Sequence, residues 1–255
     1  MTKFKFIECS KGQGVARIAL SRPPANALTR EFAKELLDVL CESNADHEVN
    51  VRVIVGKGRF FSTGLDLKTV DPEKLSEIRD LIQSYLNPIL IHFLGKTKFV
   101  ISAVNGPAVG AGAGIAVGAN LTYMAESAYL SFPFVKLGLI PDALSTHSVP
   151  FTVGYKRAME IFALGDKIPA RNSFEMGLAN GVYADADFER IVFEKAVELA
   201  KRDPTALTMT KLMLELSKWN TMAPEMAVLE QIAQSECLEL PAFFAAVREL
   251  LGNKS

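Results

Sequence analysis

The chain has 255 residues, 49% of them hydrophobic, with 28 basic and 29 acidic side chains and a formal net charge of −1. That is enough apolar material for a substantial core in one large domain or two small ones. The even charge balance, without any Lys/Arg run, excludes a dedicated nucleic-acid binder.

In chain order, "FKFIECS" and "VARIALS" read as two strands flanking Lys11-Gly12-Gln13-Gly14, a hairpin-like pair. "TREFAKELLDVLCESNADHE" places Phe32, Leu36, Leu37 and Leu40 on one helical face, with Thr29 as N-cap. "VRVIVGKG" is a buried strand, and a second helix spans Glu73 to Leu94. "KFVISAVNG" is another buried strand, "AGAGIAVGAN" a small-residue helix, and "LTYMAE" and "AYLSFP" two short strands. The order β-β-α-β-α-β-α-β-β predicts an α/β layer fold with much parallel sheet.

From Asp142 onward the pattern is wholly helical: 145–153, 155–164, 170–176, 186–202, 205–219, 224–234 and a last helix from Pro241. This tail suggests a second lobe or an assembly surface. The low-charge run from Phe99 to Met124 is long enough to span a bilayer, but Asn105, Pro107, Asn120 and repeated glycines break it into strand, turn and buried helix. No signal core opens the chain, and "GNKS" at its end is not the peroxisomal tripeptide, so the expected compartment is the cytoplasm. Cys9, Cys41 and Cys237 are too widely spaced for zinc pairing and read as free thiols of a reducing compartment.

Two small-residue breaks stand out, "FSTGLDL" at Phe61–Leu67 and "NGPAVGAGAG" at Asn105–Gly114. Each is expected where a buried strand ends and a helix begins. They are either tight β-α connections that need glycine for steric reasons, or places where a ligand oxygen reaches unpaired backbone N–H groups. Neither has the spacing of a phosphate-binding loop or of a dinucleotide fingerprint. Two such turns would suit one oxygen gripped from two sides.

Four segments in order carry a resemblance: "RPPANALT", "GRFFSTGLDL", the block "AVNGPAVGAGAGIAVGANLTYMAESAYLSFPFVKLGLIPD", and "AMEIFALGDKIPARNSFEMGLANGVY". Together they resemble the crotonase (enoyl-CoA hydratase/isomerase) superfamily over nearly the whole length. The resemblance implies a ββα spiral core over 1–190 and a C-terminal helical trimerisation region over 191–255, assembled as a homotrimer or a dimer of trimers. It implies an acyl-CoA substrate and no cofactor beyond the CoA of that substrate. The backbone N–H groups of Leu65 and Ala111, directly after Gly64 and Gly110, would form an oxyanion hole for the thioester carbonyl. The CoA moiety would lie along Ala25 and the loop Thr63, Gly64, Leu65, Asp66 and Leu67.

Members of the superfamily differ in their acid/base residues. The positions matching the two hydratase glutamates are Gly114 and Phe134, and neither can move a proton. Asn120 stands where an aspartate is common, which reads as a structural change. Asp142, in "LGLIPDALST", occupies a register similar to the single glutamate "L-G-L-x-x-E-G" of peroxisomal-type Δ3,Δ2-enoyl-CoA isomerases. There one carboxylate takes a proton from C2 and returns it to C4. The apolar surround of Leu137, Leu139, Ile140, Ala143 and Leu144 is the kind that makes a carboxylate more basic. Two other readings of Asp142 stay open: a helix cap or first-turn residue, and a nucleophile, as in relatives that dehalogenate aroyl-CoA esters. A catalytically silent fold that binds acyl-CoA or a protein partner is a further alternative.

The remaining candidates are weaker. His47 and His92 read as surface or core histidines, and His147, five residues after Asp142, as a residue that could line the pocket. Asp66 and Asp71 are expected to cap or bridge their loop. Trp219 and "PAFFAAV" read as packing, and no metal-ligand cluster is present in the sequence.

Overall fold

A computed structural model describes residues 4–69, 74–95, 97–219, 235, 244 and 247–249. Strands β1 (Ile7–Gly12) and β2 (Val15–Leu20) pair antiparallel through Gln13 and Gly14, both at positive φ (53° and 77°) as a two-residue hairpin turn requires. From β2 the sheet continues in parallel through β3 (Val51–Gly56), β4 (Phe99–Val104), β6 (Leu121–Ala125) and β9 (Gly181–Tyr183), in the order β1-β2-β3-β4-β6-β9. All six residues of β3 are buried, as expected of a parallel strand covered on both faces. A smaller sheet joins β5 (Ala108–Val109), β7 (Tyr129–Ser131) and β8 (Lys167–Pro169).

The first helix, α1 (Arg30–Ala45), begins at the expected cap: Thr29 Oγ1 accepts the Phe32 N–H at 3.3 Å. Its face of Phe32, Leu36 and Leu40 is wholly buried in a core that runs through both sheets. The helix expected over Glu73–Leu94 is described from Leu75 and has three parts: α2 (Leu75–Leu81), a π turn (Ile82–Leu86) and α3 (Asn87–Leu94). Then follow α4 (Ala111–Gly118), α5 (Ser145–Val153), α6 (Tyr155–Leu164), α7 (Ala170–Glu175), α8 (Phe188–Ala200) and α9 (Pro204–Trp219).

The stretch after Asp142 is not wholly helical. β8 and β9, three residues each, complete the two sheets. Segments so short cannot display a period of two, and their strand state comes from pairing with β7 and β6. The boundary expected at 190 falls inside α8, whose buried residues Phe188, Val192, Ala196 and Ala200 belong to the same core as the sheet. Helix α8 therefore belongs to that core on both sides of residue 190. Asp71, Cys237, the side chain of Trp219, the helix expected over Pro224–Gln234 and most of the segment from Pro241 lie outside the described residues. No helix among the described residues is long and apolar enough to cross a membrane.

Candidate active site

The two small-residue turns lie side by side. Ser62 and Ala108 form a parallel bridge, with the Val109 N–H donating to Ser62 O at 2.9 Å. A Cβ on Gly64 (φ +73°) would stand 2.7 Å from Val109 O and 2.9 Å from Ala111 N, and one on Gly112 would stand 2.3 Å from Ser62 O. The first partner for which side chains have been removed is thus the other turn. The second turn leads into α4 after the short strand β5, whereas the first is followed by a single 3₁₀ turn, Leu67–Thr69, and not directly by an α-helix.

Two asparagines hold the first loop in place. Asn26 is fully buried, and its Nδ2 donates to the carbonyls of Lys57 (3.1 Å), Phe60 (2.8 Å) and Phe61 (3.2 Å). Asn105 Oδ1 accepts the Gly56 N–H at 2.8 Å, and its Nδ2 donates to Gly58 O at 2.9 Å. Sequence reasoning missed both positioning roles; their signal was an asparagine inside each matching segment.

The backbone donors nearby are nearly all used. Thr63 donates to Ala25 O, Gly64 to Ser62 Oγ, Asp66 to Leu28 O, Leu67 to Leu65 O, Val109 to Ser62 O and Gly110 to Ser131 O. Among the described residues, the N–H groups of Leu65 and Ala111 make no such bond. Both residues line a cavity of about 290 Å³, together with Thr63, Leu67, Gly110 and Asp142. The two donors predicted as a pair and the predicted carboxylate therefore share one space.

Asp142 is 5% exposed and, among the described residues, is the one acid lining this cavity. It is neither an N-cap nor a first-turn residue: α5 begins at Ser145, its N-cap position is Leu144, and Asp142 lies ahead of both. Ala143 and Leu144 both adopt left-handed backbone (φ 53° and 52°), an unfavourable conformation for side-chain-bearing residues and most of all for leucine. The Asp142 carbonyl accepts the Ser145 N–H at 3.0 Å and also the Ser145 hydroxyl, which fixes this sharp turn.

The positions that match the hydratase glutamates differ in their surroundings. Phe134 lines the cavity, and a Cβ on Gly110 would lie 3.9 Å from its Cζ. Gly114 sits beneath Ala143, where an added Cβ would come within 2.5 Å of the Ala143 Cβ. The rest of the wall is apolar: Leu28, Leu81, Ile82, Leu86, Val109 and Leu139. At the rim, Lys136 Nζ pairs with Asp166 at 2.8 Å.

Of the residues expected along CoA, Ala25, Gly64 and Asp66 do not line the cavity. Ala25 braces Thr63 through its carbonyl, and Asp66 pairs with Arg22 at 2.7 Å. Asn120 is structural: its Oδ1 accepts the Val100 N–H at 2.9 Å. His47 is exposed. His92 receives Arg52 Nη1 at 2.6 Å, and burial, followed by the charge of Arg52, lowers its pKa to about 4.

His147 does not face Asp142's cavity. It lines a second one of about 330 Å³ at the other end of α4, with Ser148, Thr152, Thr122 and Lys211. The hydroxyls there donate to backbone carbonyls of Leu144, Ser148 and Ala116 at 2.8–2.9 Å, and Lys211 donates to Thr97. Those donors are turned into the protein, whereas the first cavity presents two uncommitted ones.

Residues 10–236 match the family described as enoyl-CoA hydratase/isomerase. The chain belongs to that family. Among its relatives, 4-chlorobenzoyl coenzyme A dehalogenase-2 of Arthrobacter sp is 34% identical over 191 residues, 73% of this chain and 69% of the relative. The peroxisomal enoyl-CoA delta isomerase 3 of Mus musculus is 28% identical over 260 residues, covering 98% of this chain and 80% of that one. In three dimensions the chain is similar to an enoyl-CoA hydratase from Mycobacterium avium subsp. paratuberculosis K-10, with a TM-score of 0.86, 27% identity and coverage of 96% and 95%. The α/β architecture is thus the crotonase fold of this enoyl-CoA hydratase/isomerase family.

Proposed function

We propose that this acyl-CoA enzyme shifts the double bond of a 3-enoyl-CoA to trans-2-enoyl-CoA. The observation that carries the reading is a cavity whose described lining brings together the unbonded N–H groups of Leu65 and Ala111 and one carboxylate, Asp142. Asp142 takes a proton from C2. Negative charge moves onto the thioester oxygen, where the N–H groups of Leu65 and Ala111 hold it. Asp142 then returns the proton to C4. Each donor aimed at that developing charge contributes about 3–4 kcal/mol of transition-state stabilisation, and one group that is first base and then acid completes the proton balance.

Hydration fits less well. It needs a pair of groups to hold and activate water, and the two matching positions are a buried glycine under Ala143 and a phenylalanine. The dehalogenase relative favours a second reading, with Asp142 as nucleophile. An acyl-enzyme or aryl-enzyme ester at Asp142 would need a base to drive its hydrolysis. Among the described lining residues there is no histidine and no second acid, so the isomerase is preferred. In the same proposal the CoA moiety runs along the loop 63–67, of which Thr63, Leu65 and Leu67 line the cavity.

The test is the fate of Asp142. Asp142→Asn should abolish double-bond migration and leave acyl-CoA affinity nearly unchanged. With substrate deuterated at C2, part of the label should reappear at C4. An ester trapped on Asp142 and found by mass spectrometry would move the assignment to the nucleophile. Binding without turnover of enoyl or aroyl thioesters would establish the silent fold instead.

A further inference from the structure

The helical rod that walls the cavity changes its winding where it meets the site. Leu75–Leu81 is α-helical, Ile82–Leu86 is a π turn, and Asn87–Leu94 is α-helical again. The Asn87 N–H donates to Ile82 O, one residue further back than an α-helix allows. In an α-helix, with about 100° between successive residues, positions i and i+5 point about 140° apart. A π turn is wider and brings such a pair toward one face. Leu81, Ile82 and Leu86 all line the cavity, while Gln83 and Ser84 between them face solvent.

The turn is braced from outside. Arg30, the first residue of α1, pairs with Asp80 at 2.9 Å and stacks over the Tyr85 ring at 5.7 Å. Ser84 Oγ donates to Asp80 Oδ1 at 2.9 Å. A less favourable helical form is thus held in place by an ion pair, a cation–π contact and a hydrogen bond, all on the face away from the cavity.

We infer that the π turn at Ile82–Leu86 is the acyl-chain selectivity element of this site, and that the group it accepts is a straight, unfunctionalised aliphatic chain of medium length. The inference rests on the acyl-CoA reading above. The side chains of Leu81, Ile82 and Leu86 offer no polar atom, so a chain oxygenated where it meets them would bury polar atoms without partners, while the Thr63 hydroxyl and the Asp142 carboxylate of the same cavity belong to other elements. At the ~30 Å³ of one liquid water for each heavy atom, a cavity of about 290 Å³ takes about ten, the thioester oxygen and sulfur with about eight carbons, the carbonyl carbon included.

Binding of saturated acyl-CoA thioesters, from acetyl to tetradecanoyl, tests this by calorimetry without any turnover. In the parent, Kd should fall about threefold to fourfold per methylene up to about eight carbons and then level off. Deleting Ser84 restores α-helical spacing and should flatten that gain at least tenfold for octanoyl-CoA, with acetyl-CoA changed by less than about twofold. Gln83→Ala, at an exposed position that braces nothing among the described residues, keeps the residue count and should retain the parent profile. Leu86→Phe, which narrows the wall in an intact rod, should move the plateau to shorter chains, and it stands as the test if the deletion does not fold. An unchanged profile in Leu86→Phe overturns the inference, as does tighter binding of 8-hydroxyoctanoyl-CoA than of octanoyl-CoA. A parent with the expected profile that fails to isomerise 3-enoyl-CoA sinks the isomerase and leaves this inference standing. A parent that isomerises without chain-length dependence does the reverse.

Discussion

Gly64 has two reasons to be glycine: a φ of +73°, and a backbone neighbour 2.9 Å from where its Cβ would be. Gly64→Ala should therefore push the two turns apart and separate the donors of Leu65 and Ala111. A hundredfold or greater loss of turnover in a folded protein is expected. Leu65→Ala, which keeps its N–H, should retain most activity; comparable losses in the two variants would show the donors to be misassigned. Asn26→Ala removes three bonds to loop carbonyls and should cost about 2–4 kcal/mol of stability, read by denaturant unfolding. At this scale the sequence was legible where a residue type carries the chemistry. Asp142, Gly64 and Gly114 could be singled out from their matching segments, and all three have close steric or cavity roles. The brackets Asn26 and Asn105 could not, because their Nδ2 groups reach carbonyls more than 30 residues away in sequence, and no local pattern encodes such partners.

Among the elements, α9 is held to the core by an unusual anchor. Lys211 is 3% exposed and donates to Thr97 O and Oγ1 at 3.2 and 2.9 Å. Burial first and the nearby Arg52 second lower its pKa from 10.5 to about 7, against a smaller opposing effect of Glu215. The unfolded chain keeps this proton to about pH 10, whereas the folded protein gives it up above about 7. Between those values the unfolded state binds more protons, so this residue makes stability rise with pH; below about 7 both states hold the proton and its contribution is constant. His92, lowered to about 4, acts in the same sense between about 4 and 6.5. Melting temperature measured from pH 7 to 9 should climb less steeply in Lys211→Met than in the parent, and the variant should be the more stable at pH 7. Parallel profiles would mean that Lys211 carries no such penalty. Long amphipathic elements such as α1 were legible from their spacing. The π turn, β5, β8 and β9 were not, since each is defined by a hydrogen-bond partner and not by periodicity.

At the scale of the molecule, consecutive helices among the described residues carry exposed apolar side chains. Phe151, Tyr155, Met159, Leu164 and Phe174, on α5, α6 and α7, are exposed large hydrophobic residues. Scattered apolar side chains are ordinary, but a group on consecutive elements is the kind of surface that self-association covers. The homotrimer implied by the family resemblance is proposed to use it. Tyr155→Asp with Met159→Asp should lower the mass measured by light scattering. An unchanged mass, whether of monomer or trimer, would assign the contact elsewhere. Fold class was readable because alternating strands and helices with buried parallel runs admit few architectures. The closure of the large sheet by β9 was hidden, since it depends on a strand three residues long meeting β6 nearly 60 residues earlier.

The contact between Gly114 and Ala143 couples two positions that any redesign toward hydration would have to change together. Gly114→Glu alone brings its Cβ within 2.5 Å of the Ala143 Cβ, so the turn that carries Asp142 must shift to admit it. If Ala143 first becomes glycine, that obstacle is gone and the left-handed φ of 53° ceases to be a strain. What remains is the carbonyl oxygen of residue 143 at 3.0 Å, relieved by a shift of a few tenths of an ångström. An acid at position 114 is thus tied to the residue at 143, whereas position 134, which lines the open cavity, carries no such condition.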